Sequence, residues 1–316
     1  MEHRPLGRSG LRVSEIALGS WLTFGASVDV PGTVEVVHAA LDAGIVFFDT
    51  ADVYAGGAAE EALREALRGL PRHKLVLASK AFFPLSEDPN DRGLSRKHLF
   101  ESVHASLRRL GTDYLDLHQC HRFDPTVPVD ETVRAYEDLI RQGKVLYWGT
   151  SEWRAEQITA ALAAADRHGA YRPISNQPQY SLLRRGIEAK VLPLCAREGI
   201  GQVVWSPLAQ GVLTGKYRPG ERPAGTRAAH PSQARFMEAF LGEEVLARVE
   251  GLRPIAGDLG LTMAQLALAW CLRQEGIASV IVGATRPAQL AETAKASGVK
   301  LPSDAVAALD RLFAAA

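Results

Sequence analysis

Several features that would mark other classes of protein are scarce or absent in this 316-residue sequence. There are three cysteines, Cys120, Cys195 and Cys271, and their wide, unpatterned spacing argues against a disulfide framework and favours a reducing, cytoplasmic setting. No apolar run approaches the ~20 residues that a membrane-spanning helix needs, and no apolar signal segment follows the first residues. The 36 basic and 36 acidic residues give a net charge of +0, so nothing predicts attraction to nucleic acid or to an anionic membrane.

The sequence also lacks the G-x-G-x-x-G pattern that usually marks a dinucleotide-binding turn. Residues 211–217 superficially resemble a P-loop, but the spacing is one residue short and no serine or threonine follows Lys216. This segment therefore does not predict a nucleotide triphosphatase. Its glycines and lysine still suit a pyrophosphate, which backbone N–H groups and one ammonium can bind.

Short apolar runs alternate with amphipathic stretches along the chain. Eight runs are typical of strands: residues 16–19, 46–49, 75–80, 115–120, 146–151, 174–176, 202–206 and 279–282. Helical patterns lie at 34–43, 60–68, 95–110, 130–141, 152–167, 187–198 and 262–273, with Ser95, Asp130 and Thr262 as predicted helix starts. Apolar strands separated by helices indicate a parallel sheet covered on both faces. Eight such units favour an α/β fold of the (β/α)8 TIM barrel type, as a single domain over residues 1–316, rather than a doubly wound sheet.

Two segments interrupt this alternation. Residues 4–13 contain Gly7 and Gly10 between short extended pieces, which predicts an N-terminal β-hairpin before the first barrel strand. Residues 208–240 are rich in glycine, proline and arginine and show no periodicity. A loop of that length in a compact domain is usually functional or disordered. Because it follows the seventh strand, we expect it to overhang the C-terminal mouth of the barrel.

Asp49, Tyr54, Lys80 and His121 stand at or just beyond the ends of three successive predicted strands. The carboxyl ends of barrel strands meet at one face, so these four side chains are expected to gather there. A free tyrosine has a pKa of about 10. A nearby ammonium should lower that pKa, a carboxylate should orient the ammonium, and an imidazole can position a carbonyl oxygen. The alternative is a set of unrelated polar strand ends, which is weakened because one of only eight lysines occupies such a position.

The stretches that carry these residues resemble the aldo-keto reductases. The matching segments are FDTADVY (48–54), ASK (78–80), DYLDLHQCHR (113–122), GTS (149–151), NQPQYSLL (176–183), WSPLAQGVLTGKY (205–217) and VGAT (282–285). Residues 6–14 and 21–25 look closest to the potassium-channel β-subunit branch and its bacterial relatives. The resemblance implies a (β/α)8 barrel that reduces aldehydes or ketones with NADPH. Tyr54 would be the general acid, Lys80 and Asp49 would tune it, and His121 would orient the carbonyl.

The resemblance also implies a cofactor site. Ser151 and Gln177 would hold the nicotinamide carboxamide, Trp205 would stack on the ring, and the loop from Ser206 to Lys216 would cover the pyrophosphate. Arg286 is expected to bind the 2′-phosphate of NADP, because a guanidinium suits a phosphate. The alternatives are a core aromatic for Trp205 and a surface arginine for Arg286. The complete expected set is Ser151, Gln177, Trp205, Ser206, Pro207, Leu208, Gly211, Lys216, Gly283, Thr285, Arg286, Gln289 and Glu292, the last pair facing the adenosine.

Three positions depart from many relatives. Glu152 stands where asparagine or arginine is common, and Thr293 stands where an asparagine that contacts adenine is common. His118 replaces a frequent tyrosine and is interpreted as a structural or pocket residue. Aromatic side chains near the predicted mouth suggest an apolar substrate pocket, with ordinary packing as the alternative. These are Trp21, Phe24, Phe82, Phe83 and Phe123.

The leading hypothesis is an NADPH-dependent reductase of small carbonyl compounds, with no metal. A second hypothesis is a regulatory module of the channel β-subunit type, which binds NADPH and a partner and turns over slowly. A third is a metal-dependent hydrolase, suggested by His118 and His121. Three residues apart on a strand, these two side chains should point to opposite faces, and the other strand ends lack the remaining ligands. The sequence leaves the oligomeric state open.

Overall fold

The computed structural model describes residues 1–230 and 233–314. Strands β1 (His3–Pro5) and β2 (Arg12–Ser14) form an antiparallel hairpin, as predicted. The other strands form a closed parallel barrel: β3 (Ile16–Gly19), β4 (Phe47–Asp49), β5 (Val76–Ala81), β6 (Leu115–Cys120), β7 (Val145–Ser151), β8 (Ser175–Gln177), β9 (Gly201–Trp205) and β10 (Ile277–Val282). Each strand pairs with the next along the chain, and β10 closes the barrel against β3. The predicted (β/α)8 TIM barrel is therefore confirmed.

The helices surround this barrel. They are α1 (Val30–Asp42), α2 (Ala58–Leu67), α3 (Arg96–Leu110), α4 (Val129–Arg141), α5 (Ala155–His168), α6 (Val191–Glu198), α7 (Glu243–Glu250), α8 (Leu252–Asp258), α9 (Met263–Leu272), α10 (Pro287–Thr293) and α11 (Ser303–Leu312). Among the described residues, no single helix is long and apolar enough to span a membrane. The α7–α8 segment and α9 meet those criteria only as a pair bent by 89°.

Of the three residues predicted to start helices, two are confirmed and one is wrong. The hydroxyls of Ser95 and Thr262 accept hydrogen bonds from backbone N–H groups in the first turns of α3 and α9. Asp130 instead lies inside α4, where its carboxylate binds Arg167 and His168. The helix predicted from residue 187 begins at Val191, because the ring of Pro193 would clash with the carbonyl four residues earlier if the helix ran through it.

The N-terminal hairpin closes the bottom of the barrel. Leu6 and Val13 are buried in the same cluster as interior side chains such as Phe47 and Val203. Gly7 adopts a φ of +61°, and a Cβ there would lie 2.2 Å from the carbonyl oxygen of Gly199. Because the hairpin packs so closely underneath, the C-terminal mouth is the end left for a ligand site.

The long loop after β9 folds across that mouth. It contains short 3-10 turns at Ala209–Thr214, Arg227–Ala229, Ala234–Phe236 and Glu238–Phe240, and residues 231 and 232 of the predicted loop lie outside the described residues. The side-chain amide of Gln233 donates to the carbonyl of Leu22 at 3.3 Å, and the rings of Phe236 and Trp21 meet edge to face. The loop is thus attached to the β3–α1 loop across the mouth.

Candidate active site

Four polar side chains meet where β4, β5 and β6 end. Asp49 is the last residue of β4, Lys80 lies near the end of β5, His121 follows β6, and Tyr54 begins a short turn after β4. The Lys80 ammonium donates to Asp49 Oδ1 at 2.6 Å and to Tyr54 Oη at 3.3 Å. Tyr54 Oη lies 3.4 Å from His121 Nε2. All four side chains predicted to share one mouth lie together.

Lys80 is completely buried, and its three N–H groups are all used. Besides Asp49 and Tyr54, the ammonium donates to the carbonyl oxygen of Thr50 at 2.7 Å. Burial alone would lower the pKa of Lys80, but the negative charge of Asp49 and the contact with Tyr54 raise it above the ordinary lysine value. Lys80 is therefore a fixed cation at neutral pH.

The pKa of Tyr54 differs from the expectation. Burial raises it most, Lys80 lowers it, and Asp49 raises it again, so that the pKa lies above the ordinary tyrosine value. The lysine acts in the predicted direction, but the loss of solvent around the phenol is the larger effect. Tyr54 is thus a neutral phenol at physiological pH. Because Lys80 donates to its oxygen, the phenolic proton is free to face the cavity.

His121 is nearly buried and uncharged. Burial, followed by the charges of Lys80 and Arg122, lowers the pKa of His121 well below its usual value. Nε2 faces Tyr54, and within the described part of the chain Nδ1 has no hydrogen-bond partner. A neutral imidazole carries one N–H donor, so His121 can donate a hydrogen bond to a ligand oxygen beside the phenol.

A cavity of about 850 Å³ extends from this cluster to α10. That volume is near the upper end of the usual range for ligand pockets. All the residues of the expected cofactor set line it: Ser151, Gln177, Trp205, Ser206, Pro207, Leu208, Gly211, Lys216, Gly283, Thr285, Arg286, Gln289 and Glu292. The cavity brings them together, while their individual roles remain predictions.

Polar groups near the reactive end are fixed by one another. The amide nitrogen of Gln177 donates to Asp49 Oδ2 at 2.8 Å, and the Ser151 hydroxyl donates to the carbonyl of Gln177 at 2.9 Å. Gln177 Oε1 accepts no hydrogen bond from the described residues. It is an acceptor that an amide group of a ligand can use.

Glu152 holds the indole of Trp205. Glu152 Oε1 accepts from Trp205 Nε1 at 2.7 Å and from the backbone N–H of Gln179 at 2.6 Å. Its φ of +58° places a non-glycine residue in the left-handed region, a conformation that surrounding contacts must hold in place. The departure at this position therefore supplies an anchor for the aromatic ring, and Glu152 itself is not among the residues lining the cavity.

The opposite end of the cavity is strongly basic. Lys216, Arg227 and Arg286 line it, and among the described residues none of them forms an ion pair with a carboxylate. Partial burial and the charges of Arg227 and Arg286 lower the pKa of Lys216, and burial lowers the pKa of Arg227. Three cations held together without counterions are costly unless a polyanion binds there.

Two glycines keep this basic end open. A Cβ at Gly211 would lie 3.1 Å from the Lys216 ammonium, and one at Gly283 would lie 3.2 Å from Arg227 Nη2. Gly211 also has a φ of +92°, which side chains rarely adopt. The glycines let the cationic groups approach the backbone that forms the wall.

Some polar side chains of α10 already form hydrogen bonds with the backbone at or near their own helix. Gln289 Oε1 accepts from the backbone N–H groups of Thr285 and Arg286, which caps α10. The Thr293 hydroxyl donates back to the carbonyl of Gln289 at 2.9 Å, so its proton is already used within the helix. Glu292 lines the cavity and remains the candidate for contact with a ribose or base.

The aromatic wall only partly follows the prediction. Trp21, Phe24 and Phe83 line the cavity, but Phe82 and Phe123 do not. Phe123 packs edge to face on Trp153, whereas Phe83, one residue beyond Phe82, lies 4.9 Å from the His121 ring and lines the cavity. Successive residues at a strand end point to opposite sides, so a shift of one position exchanges pocket and core.

Two arginines of the cavity were not assigned roles from the sequence. Arg227 lies in the long loop, donates to Gln210 and approaches Gly283, yet that loop has no periodicity from which its register could be inferred. Arg122 directly follows His121, and its adjacency was a usable signal. In the structure, backbone conformation also marks the cavity. Four non-glycine residues line it with positive φ values: Leu22, Ala55, Ser206 and Gln210.

Asp52, two residues before Tyr54 in the chain, has a buried carboxyl group. Its Oδ2 accepts from the Ser102 hydroxyl at 2.6 Å, and among the described residues Oδ1 has no hydrogen-bond partner. Burial raises the pKa of Asp52 to about 7, the Ser102 hydrogen bond opposes this, and the charge of Glu60 adds to it. The folded protein thus holds a proton here that an unfolded chain, with a carboxyl pKa of 3.8, would release.

We expect Asp52→Asn to become increasingly stabilising relative to wild type as pH rises from about 5 to 8. The raised pKa means that wild-type stability from this group is intact below the unfolded pKa and declines as pH rises through the folded one. Between pH 5 and 8 the change is limited to about 3 kcal/mol, because only the part of the pKa shift that lies above pH 5 contributes. The free energy of unfolding in urea at both pH values measures it. Asp258→Asn, which changes an exposed carboxylate, is the control, and an Asp52→Asn difference independent of pH would contradict the raised pKa.

His118 of β6 and His121, the residue after that strand, point to opposite sides, as the spacing predicts. His118 Nδ1 contacts Tyr136 Oη of α4 at 2.9 Å, whereas His121 faces the cavity. Burial lowers the pKa of His118 to about 3, so it is neutral. Within residues 1–230 and 233–314, no group of three His, Cys, Asp or Glu side chains is arranged to hold a metal ion.

Comparison with known proteins agrees with this architecture. A family model described as the aldo/keto reductase family matches residues 15–314. The chain is 47% identical over 302 residues to a probable voltage-gated potassium channel subunit beta of Oryza sativa subsp. japonica, covering 95% of this chain and 92% of that protein. It has the same identity and coverage with a protein of the same description from Arabidopsis thaliana. From residue 15 onward, with its barrel and the polar cluster at its mouth, the chain belongs to the aldo/keto reductase family.

Proposed function

We propose that this protein reduces aldehydes or ketones to alcohols with NADPH, using Tyr54 as the general acid. The observation that carries the proposal is the position of Tyr54 Oη, within 3.4 Å of both the Lys80 ammonium and His121 Nε2. The family is one of oxidoreductases that use nicotinamide cofactors. A phenol with these two neighbours is suited to give a proton to an oxygen that gains negative charge.

In the proposed reaction the cofactor supplies the hydride and the protein supplies the proton. A bound NADPH would supply a hydride to the carbonyl carbon. His121 would donate a hydrogen bond that fixes the carbonyl oxygen beside Tyr54. Tyr54 would transfer its proton to that oxygen as negative charge develops, while Lys80 stabilises the phenolate that remains. Asp49 keeps Lys80 oriented and charged through the 2.6 Å ion pair.

The cavity fits a phosphorylated dinucleotide. Its basic end offers Lys216, Arg227 and Arg286 to phosphates, and its reactive end offers Gln177 Oε1 to a carboxamide. Trp205 would pack on the nicotinamide, with its indole fixed by Glu152. The three unpaired cations favour a polyanion, and they suit NADPH because it carries a 2′-phosphate in addition to its pyrophosphate.

Arg286→Ala should raise the dissociation constant for NADPH by about tenfold to a hundredfold and that for NADH much less. The guanidinium is expected to bind the 2′-phosphate, and a hydrogen bond between charged groups contributes about 1.5–3 kcal/mol. Fluorescence titration of the protein with each cofactor measures both constants. Equal, small effects on the two cofactors would contradict the assignment of Arg286.

A second candidate is a regulatory module that binds NADPH and a partner protein. It is favoured by the two relatives, whose descriptions are those of potassium channel β subunits. We predict a reducing, cytoplasmic location for either function, consistent with three buried, unpaired cysteines.

Oxidation of NADPH in the presence of a panel of aldehydes separates the two candidates. Robust turnover by the wild type would support the reductase. Tight NADPH binding without turnover on any carbonyl compound would support the regulatory module, and absence of NADPH binding would contradict both.

A further inference from the structure

Arg122 presents an unpaired guanidinium at the reactive end of the cavity. It is partly buried and lines the cavity next to His121. One nitrogen, Nη1, donates to the carbonyl oxygen of His121, and the guanidinium carbon lies 5.4 Å from the centroid of the Phe83 ring. These contacts fix the group against the cavity wall. They use one of its five N–H donors.

The neighbouring carboxylates are engaged elsewhere. Asp49 is paired with Lys80, and Asp124, two residues beyond Arg122, accepts from Thr126 and from the backbone N–H of Leu94. In the described part of the chain, no carboxylate lies within ion-pair distance of Arg122. The guanidinium therefore has positive charge and free donors at a place where a substrate must enter.

Arg122 is electrostatically separate from the basic end. Lys216 feels the charges of Arg227 and Arg286, whereas Arg122 acts on the pKa values of Tyr54 and His121. The phosphates of the proposed cofactor would neutralise the first group and leave Arg122 uncompensated. With Lys80 balanced by Asp49, the space next to Tyr54 carries a net positive charge.

We propose that Arg122 binds a carboxylate on the substrate, so that the preferred substrates are aldehydes or ketones that also carry a carboxylate. This inference rests on the proposed reductase function. A planar guanidinium offers paired N–H groups that match a carboxylate, and its single charge balances one carboxylate. A phosphate dianion would call for a second cation, and the other unpaired cations of the cavity lie at its opposite end.

The test compares matched acids and esters. Initial rates of NADPH oxidation are measured with the ortho, meta and para carboxybenzaldehydes and with their methyl esters, for wild type, Arg122→Gln and Arg122→Lys. Wild type should favour at least one acid isomer over its ester in kcat/KM. Arg122→Gln should reduce that acid-to-ester ratio by about tenfold to a hundredfold, mainly through KM, and Arg122→Lys should give an intermediate ratio. Arg108→Gln, which removes an exposed arginine of α3 outside the cavity, should keep the wild-type ratio.

Calorimetric binding of the preferred acid to the NADP⁺-loaded protein separates this inference from the proposed function. Turnover with equal acid-to-ester ratios in wild type and Arg122→Gln would overturn the role of Arg122 and leave the reductase intact. No turnover, together with acid binding that Arg122→Gln weakens, would support the carboxylate site and reject the reductase. No turnover and no binding that depends on Arg122 would overturn both. An equal loss for acid and ester would show that Arg122 acts through Tyr54 or His121 alone.

Discussion

Replacement of Tyr54 by phenylalanine should lower kcat for carbonyl reduction by about 10²–10⁴-fold, because the variant has no proton to give to the developing alkoxide. The phenol is the group within reach of both the Lys80 ammonium and the His121 imidazole, at 3.3 and 3.4 Å. Phenylalanine keeps the ring and its packing, so the loss should appear in kcat. NADPH oxidation under saturating cofactor measures it.

The affinity for NADPH is the internal control for Tyr54→Phe and should stay within a few-fold of wild type. Tyr114→Phe is the matched control, because it removes the phenolic hydroxyl of a tyrosine that precedes β6 and does not line the cavity. The raised pKa of Tyr54 gives a second readout: the proton donor stays protonated as pH rises, so reduction should decline only above the ordinary tyrosine pKa of about 10. Full activity in Tyr54→Phe would show that another residue is the general acid.

The strand ends were readable from the sequence because barrel geometry fixes them. Once eight apolar runs are recognised, closure brings the ends of β4, β5 and β6 to one face, and Asp49, Lys80 and His121 come with them. Tyr54 follows because only a short turn separates it from β4. The same reasoning gave the number and order of the strands, with bounds that differ from those observed by at most two residues.

The loops were less readable because no period relates their sequence to a direction in space. Arg227 lies in the irregular segment after β9 and reaches Gly283 only through the folded course of that loop. Phe82 and Phe83 differ by one position at the end of β5, and the sequence could not tell which of them faces the cavity. Glu152 appeared as a departure from relatives, and its hydrogen bond to Trp205 depends on an unusual backbone conformation.

The net shift in the pKa of a buried group also could not be predicted from the sequence. Adjacency of Tyr54 and Lys80 correctly gave the sign of their interaction, but the balance depends on how much solvent the fold removes. For Lys80 the same burial is outweighed by Asp49, so two groups in contact are shifted by different dominant causes. Such balances require the packed structure.

Removal of the Lys80 charge should destabilise the folded protein severely. Lys80→Met leaves Asp49 buried without its ion-pair partner, and breaking a buried pair from one side typically costs about 3–5 kcal/mol. The double variant Asp49→Asn/Lys80→Met removes both charges and retains an amide that can still contact Gln177. It should therefore recover at least half of the free energy of unfolding that Lys80→Met loses, although it contains one more substitution.

Urea unfolding of wild type, both single variants and the double variant measures this coupling as a thermodynamic cycle. If Lys80→Met is too unstable to purify, a folded double variant shows the same coupling directly. Equal unfolding midpoints for wild type and Lys80→Met, or losses that simply add in the double variant, would mean that the pair contributes nothing as a pair. A double variant that is stable but inactive would separate the two roles of Lys80. Folding would then need only charge balance between positions 49 and 80. Proton transfer by Tyr54 would need the ammonium itself.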